Sequence, residues 1–223
     1  MPESPITSTV VAHLGPVPIT RPVVTTWVII VVLALLSRLM TRRLQRVPDA
    51  RQEFLETTVT ALEQQVGEVI GKDPRPFLPL LGTLFIFLVV ENLSGLIPGV
   101  EAPTSRIETP AALALIVFFS VHYFGVRSRG VGRYLASFAE PRLIMLPLNV
   151  LEEITRTFSL MVRLFGNIMS GEFVIGLIVA LAGLFVPIPL MVLEIVVGIV
   201  QAYIFTVLAT VFIGAAVGGG ESG

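Results

Sequence analysis

One arginine, Arg163, lies in an apolar helical stretch that holds no acidic residue three or four positions away to pair with it. An ionisable group inside a membrane helix costs about 2.5–3.5 kcal/mol on insertion scales, so it is a candidate functional group by default. At about 100° per residue, six polar side chains fall near one face of this helix, and we call them the polar stripe: Glu152, Arg156, Ser159, Arg163, Asn167 and Ser170. The stripe favours a functional role for Arg163. The alternative is a structural arginine that snorkels to an interface or pairs with Glu172 or Glu194.

Three further polar residues are candidates for the same site. Glu194 and Gln201 are seven residues apart in the last apolar segment, two turns along one face, so Gln201 is expected to meet Arg163 with Glu194 about 10 Å away along the axis. Glu172 lies nine residues after Arg163, roughly opposite the stripe. Both glutamates can carry protons, which suits a relay. Glu91 and His122 lie near segment ends, and we interpret them as reached by headgroup water.

Other kinds of chemistry have little support in the sequence. There is no cysteine, and the two histidines, His13 and His122, are far apart, so neither a metal site nor a cofactor is predicted. No nucleophile–base constellation or phosphate-cradling loop indicates an enzyme acting alone. The net charge of −1 and the lack of a long basic block argue against nucleic-acid binding.

The elements that must position these residues are membrane helices. The 223 residues are 54% hydrophobic and 14% charged, against about a quarter charged in soluble domains. We predict an all-α integral membrane protein with five spans, in which residues 22–217 form a single membrane domain between tails at 1–21 and 218–223. The spans are placed at about 22–41, 76–97, 110–126, 146–184 and 189–217. An amphipathic surface helix is placed at about 49–71, and packing against partner helices is the alternative for its apolar face. The fourth of these spans would measure roughly 58 Å, so it must tilt steeply or bend.

The distribution of cations predicts the orientation. Arginines and lysines follow the first span, precede the second and separate the third from the fourth, whereas the alternate loops hold only Arg21 and Arg106. By the positive-inside rule the N-terminus is outside and the C-terminus cytoplasmic. No internal repeat supports a transporter built from two inverted halves.

Three separated motifs resemble those of subunit a of F-type ATP synthases. They are the stretch from Ser159 to Asn167 with Gly171-Glu172 after it, the stretch from Gln201 to Phe205, and the stretch from Asn92 to Pro98. They occur in the family's order, and the resemblance covers residues 22–215.

The resemblance implies a stationary subunit of the membrane sector, whose last two long, strongly tilted helices face a rotating ring of c subunits. It implies that Arg163 keeps the ring carboxylate ionised as it passes and blocks leakage between two aqueous half-channels. Gln201 would lie close to Arg163, Asn167 would line the same surface, and Glu172 and Glu194 would be relays on the outer side. The further expected partners are peripheral-stalk b-type subunits and membrane lipid. The expected location is the bacterial plasma membrane.

One loop departs from the family pattern. Arg106 and Glu108 lie in the loop where relatives commonly have a proline-threonine stretch followed by an aspartate and an asparagine, so the family's polar lining of the outer mouth is not carried over to this chain. The proton is the expected ion, and a sodium-translocating version is the alternative. A self-contained channel or transporter and a purely structural protein remain as competing hypotheses.

Overall fold

Helices make up nearly all of the chain that the structure describes. The computed structural model describes residues 10–14, 17–42, 50–97, 100, 102–138, 146–183 and 186–218. The helices are α1 Arg21–Thr41, α2 Ala50–Ile70, α3 Leu78–Ser94, α4 Glu108–Arg129, α5 Val131–Ser137, α6 Leu146–Ala182 and α7 Ile188–Gly218. A short 3-10 turn, Pro103–Ser105, lies between α3 and α4. The predicted helical fold is confirmed.

Of the helices that the structure describes, four are long and apolar enough to cross a membrane: α1, α4, α6 and α7. The fifth, α3, is equally apolar but has 17 residues, about 25 Å of helix. Large apolar side chains are exposed on the outside of the bundle, as on α1, where Trp27, Val28 and Leu35 are each more than half exposed. Such an exterior suits lipid rather than water, and the chain is a multi-pass membrane protein.

The last two helices are longer than a perpendicular crossing requires. α6 has 37 residues and α7 has 31, which correspond to about 55 Å and 46 Å against a hydrocarbon layer of about 30 Å. A strong tilt is the simplest way for both helices to remain in the hydrocarbon layer.

The interior lies between α2, α3, α4, α6 and α7. Leu81, Leu88, Leu164, Ala209 and Ile213 are fully buried there. α2 belongs to this core, because Leu62, Val66 and Ile70 are buried while three of its four glutamates, Glu53, Glu56 and Glu68, stay exposed. The one-sided pattern of α2 is therefore explained by packing on α3 and α7.

Two side chains fasten the C-terminal end of α7. Lys72 Nζ lies 3.5 Å from the carbonyl oxygen of Val217, and a guanidinium nitrogen of Arg129 donates to the carbonyl oxygen of Ala215 at 2.9 Å. The last carbonyls of a helix have no partner within the helix and carry partial negative charge, so these cations satisfy and stabilise them.

The segment predicted as an exposed tail contains two short strands. β1 Val10–Leu14 and β2 Val17–Thr20 pair antiparallel, with Val10 opposite Thr20 and Leu14 opposite Val17. The turn signal is the Gly15-Pro16 dipeptide between two short apolar runs. α5 was also not predicted, and it begins directly after Gly130, whose φ of 82° ends α4.

We expect Gly125→Ala to destabilise the protein by about 1–3 kcal/mol, because a Cβ at this α4 position would overlap the buried ring of Tyr134 on α5. The ring has little room to move, since it packs edge-on against Phe138 and His122. The matched control is Gly132→Ala, whose Cβ meets nothing within 4 Å. The midpoint of SDS-induced unfolding in mixed micelles measures both, and equal midpoints would contradict this packing.

Candidate functional site

Arg163 lies on an exposed face of α6. It lines an open groove of about 520 Å³, together with Leu148, Leu151, Glu152, Thr155, Arg156, Ser159, Leu160, Leu208 and Phe212. Within the part of the chain that the structure describes, the guanidinium of Arg163 has no hydrogen bond and no ion pair. The absence of an acidic neighbour along the helix is therefore not compensated by another described helix of this chain.

The other arginine of the polar stripe is in a different situation. Arg156 contacts the carboxylate of Glu152, lies 4.0 Å from that of Glu153, and its guanidinium stacks 5.4 Å from the ring centre of Phe212. Two arginines two turns apart on one face thus differ in one respect: Arg156 is neutralised within the chain, whereas Arg163 is not.

Beside Arg163, an amide pair joins α6 to α7. The Asn167 side-chain nitrogen Nδ2 donates to Oε1 of Gln201 at 2.5 Å. Gln201 is only 1% exposed, and its Nε2 has no partner among the described residues. The structure therefore brings Gln201 to the residue one turn beyond Arg163, and the hydrogen bond runs to Asn167.

The two expected relay glutamates lie next to each other at the far end of the site. Glu172 Oε1 accepts a hydrogen bond from the backbone N–H of Ala102 at 3.2 Å. The carboxylate of Glu194 lies so close to the Cα of Gly171 that any side chain there would overlap it. Gly171 precedes Glu172 directly, so the carboxylate of Glu194 on α7 lies against the turn of α6 that carries Glu172, and the two carboxyl groups are close enough to interact electrostatically.

The expectation that headgroup water reaches Glu91 is wrong. Glu91 is 0% exposed, and its Oε1 lies 3.2 Å from the hydroxyl oxygen of Thr26 on α1. The next residue, Asn92, donates from Nδ2 to the carbonyl oxygen of Gly198 on α7 at 2.9 Å. One sequence feature indicates both residues as candidates: they are polar and interrupt an otherwise apolar segment.

The remaining predicted polar residues lie at the two ends of the bundle. His122 is half-buried, its Nδ1 is 2.8 Å from the carbonyl oxygen of Phe118, and its ring packs near Tyr134. Glu108 is exposed in the first turn of α4, and Arg106 is half-buried after the 3-10 turn. No cluster of three or more metal-ligating side chains occurs among the described residues.

A second, smaller cavity of about 170 Å³ opens near the C-terminal end of α4. Its polar lining includes Arg129, Tyr134, Asn149, Glu152 and Glu153. Burial raises the pKa of the Tyr134 hydroxyl, the charge of Glu153 raises it further, and Arg129 opposes the shift. Tyr134 therefore stays a neutral hydrogen-bonding group at this cavity.

We expect Asn167→Ala to cost about 1–3 kcal/mol of stability, because it leaves both polar atoms of the buried Gln201 amide without a partner among the described residues. Ser170→Ala is the control on the same exposed face, since Ser170 bonds only to the backbone oxygen of Asn167. Unfolding midpoints in mixed micelles compare the two variants. If Ser170→Ala lowered the stability as much as Asn167→Ala, the hydrogen bond between Asn167 and Gln201 would make no specific contribution to stability.

Comparison with known proteins gives a consistent result over nearly the whole chain. The family model described as ATP synthase A chain matches residues 23–214. The chain is 78% identical over 218 residues to ATP synthase subunit a 2 of Bradyrhizobium sp., which covers 98% of each protein. It is 46% identical to ATP synthase subunit a 1 of Hahella chejuensis, over 92% of this chain and 87% of the relative, and 47% identical to ATP synthase subunit a of Albidiferax ferrireducens, over 88% and 86%. The chain that carries Arg163 therefore belongs to the ATP synthase A chain family.

Proposed function

We propose that this chain is the stationary ion-translocating subunit of an F-type ATP synthase, which lines two half-channels against a rotating ring of c subunits. The observation that carries the proposal is the state of Arg163, a charged side chain exposed on a membrane helix with no partner among the described residues. A permanent charge in that position requires a counter-charge, and a carboxylate on another chain supplies it.

The role of Arg163 follows from the permanence of its charge. A guanidinium stays protonated at every physiological pH, so it holds a nearby carboxylate in the ionised form. When the ring turns, each carboxylate must release its proton before it passes Arg163 and can bind a new one after passing. The same fixed charge repels cations, so it separates the two half-channels.

The surrounding residues support two separate approaches to Arg163. On one side, the carboxyl groups of Glu172 and Glu194 can exchange protons. From there, the hydrogen-bonded side chains of Gln201 and Asn167 extend the row of polar groups towards Arg163. On the other side, the open groove runs from Glu152 past Ser159 to Arg163. We assign the first approach to the outer side and the groove to the cytoplasmic side.

We take the proton as the ion, because the relay groups of the first approach are carboxyl groups that bind and release protons. A sodium-translocating version of the same subunit is the alternative. Ion dependence of the purified complex distinguishes the two, since sodium coupling makes ATP hydrolysis depend on added Na⁺. The chain is placed in a bacterial plasma membrane, with b-type stalk subunits as further partners.

We expect Arg163→Ala to abolish ATP-driven proton pumping and ATP synthesis while the complex still assembles. Arg163→Lys should also fail, because a lysine ammonium is strongly hydrated, loses its proton more readily on burial and lacks the planar guanidinium. Pumping is measured by fluorescence quenching in inverted vesicles, and assembly by the amount of the chain in the purified complex.

The matched control for these variants is Arg127→Ala, since this arginine of α4 bonds to the hydroxyl of Tyr123, has no other side-chain bond among the described residues and lies outside the site. It should pump normally. A pumping Arg163→Lys complex would favour a structural role for the charge. Ion flux through the purified chain alone in liposomes would favour a self-contained channel.

The proposed orientation has its own test. We expect alkaline phosphatase fused near Arg106 to be active, because this loop lies outside, and phosphatase fused after Val217 to be inactive. Green fluorescent protein fused after Val217 should fluoresce in the cytoplasm. The reverse pattern would overturn the assignment of the outer and cytoplasmic approaches.

A further inference from the structure

A third carboxyl group, which unlike Glu172 and Glu194 is fully buried, lies on α3, and the function proposed above does not use it. Glu91 on α3 is 0% exposed, and its Oε2 has no hydrogen-bond partner among the described residues. A buried acid is costly to keep unless it is hydrogen-bonded or neutral, and an apolar side chain would fill the same space without that cost. Glu91 therefore needs an explanation of its own.

The hydroxyl of Thr26 can serve Glu91 in both protonation states. Thr26 Oγ1 lies 3.2 Å from Oε1 of Glu91 and 3.0 Å from the carbonyl oxygen of Pro22. A hydroxyl has one hydrogen, so it donates to one of these acceptors at a time. It donates to Glu91 when the carboxylate is ionised. When Glu91 is protonated on Oε2, its Oε1 is still an acceptor, so the hydroxyl can keep this hydrogen bond or turn to the carbonyl oxygen of Pro22.

The backbone of Glu91 lies one helical turn before the point where the chain approaches Glu172. Gly95, the residue directly after α3 and four after Glu91, is so close to α6 that a Cβ there would lie 3.3 Å from Oε1 of Glu172. One turn corresponds to about 5.4 Å along the axis. Water molecules can bridge carboxyl groups that are too far apart for a direct hydrogen bond. Glu194 lies beyond, against Gly171, so carboxyl groups from α3, α6 and α7 follow one another.

Asn92, the residue after Glu91 on α3, contacts α7 between Glu194 and Gln201. Asn92 bonds to the carbonyl oxygen of Gly198, which lies one turn after Glu194 and three residues before Gln201. The Oδ1 of Asn92 is buried without a partner among the described residues. This stretch of α3 thus presents free polar atoms beside α7, between the relay acid and the amide pair.

The charged groups around Glu91 come from several elements. α6 and α7 contribute Glu172 and Glu194, the segment after the 3-10 turn contributes Arg106, and α1 contributes Arg21, exposed at its first residue. α2 packs against the opposite half of α3, where Leu62 meets Gly82. The carboxyl groups that α6 and α7 bring towards this end of α3 are therefore those of the proposed outer approach.

We propose that Glu91 is a proton-binding residue of the outer approach, which exchanges protons with Glu172 and Glu194. In the exchange a proton leaves the carboxyl group of Glu172 or Glu194, passes through water and binds Oε2 of Glu91, which changes from a carboxylate to a neutral acid. No other bond changes. The inference rests on the function proposed above, because it assigns a residue to the same path.

The test uses Glu91→Gln in the complete complex in inverted vesicles. Glutamine keeps the volume and a hydrogen bond to Thr26 but cannot bind or release a proton in this way. We expect proton pumping to slow about tenfold or more, where removal of a positioned proton-transfer group typically costs about 10²–10⁴-fold. We also expect one titration step to disappear from the pH profile of pumping. Glu91→Asp restores the carboxyl group and should recover part of the rate.

The control is Thr26→Ala, which removes the hydroxyl but keeps the carboxyl group, and it should pump with a shifted pH profile. A normal rate and pH profile for Glu91→Gln would overturn the proposal. If Glu91→Gln does not assemble, Glu91→Asp decides: an altered pH profile supports the proposal and an unaltered one overturns it. A pumping Arg163→Ala complex would instead refute the stator function, so the two failures are distinguishable.

Discussion

A guanidinium on a membrane helix must be balanced by water, by an anion of its own chain or by an anion of another chain, because the bilayer interior does not solvate charge. Arg156 shows the second solution, with Glu152 and Glu153 beside it. Arg163 lacks it among the described residues. Under the proposed function the third solution applies, and the surface around Arg163 has to stay open to a moving partner. The exposed face of α6 and the groove beside it fit that requirement.

Polar side chains of the proposed outer approach lie where two helices pack closely. Gly171, Gly198 and Gly95 have no side chain, and each faces a polar residue of a neighbouring helix: Glu194, Asn92 and Glu172. A larger residue at Gly171 would displace the carboxylate of Glu194. The polar groups therefore depend on glycines on the opposite helix, and the energetic cost of burying them is limited because most have at least one hydrogen bond.

Much of this architecture could be predicted from the sequence, because apolar runs of about 20 residues have few alternatives in a membrane. The polar stripe on α6 was visible from its spacing alone. The burial of Glu91 could not be predicted, since a position near a helix end does not tell which neighbouring helix covers the side chain. In the structure, Thr26 on α1 contacts Glu91. The sequence predicts that Gln201 meets Arg163, whereas its hydrogen bond runs to Asn167 one turn further, because period fixes a face and not the residue that meets it.

The cations at the end of α7 have a mechanical consequence. Arg129 holds the carbonyl oxygen of Ala215 from α4, and Lys72 holds that of Val217 from the segment after α2. If a rotor moves past α7, it exerts a sideways drag on this helix, and a helix with a loose end would swing with the load. Under the proposed function, attachment to α4 and to the segment after α2 would resist this movement at the C-terminal end of α7.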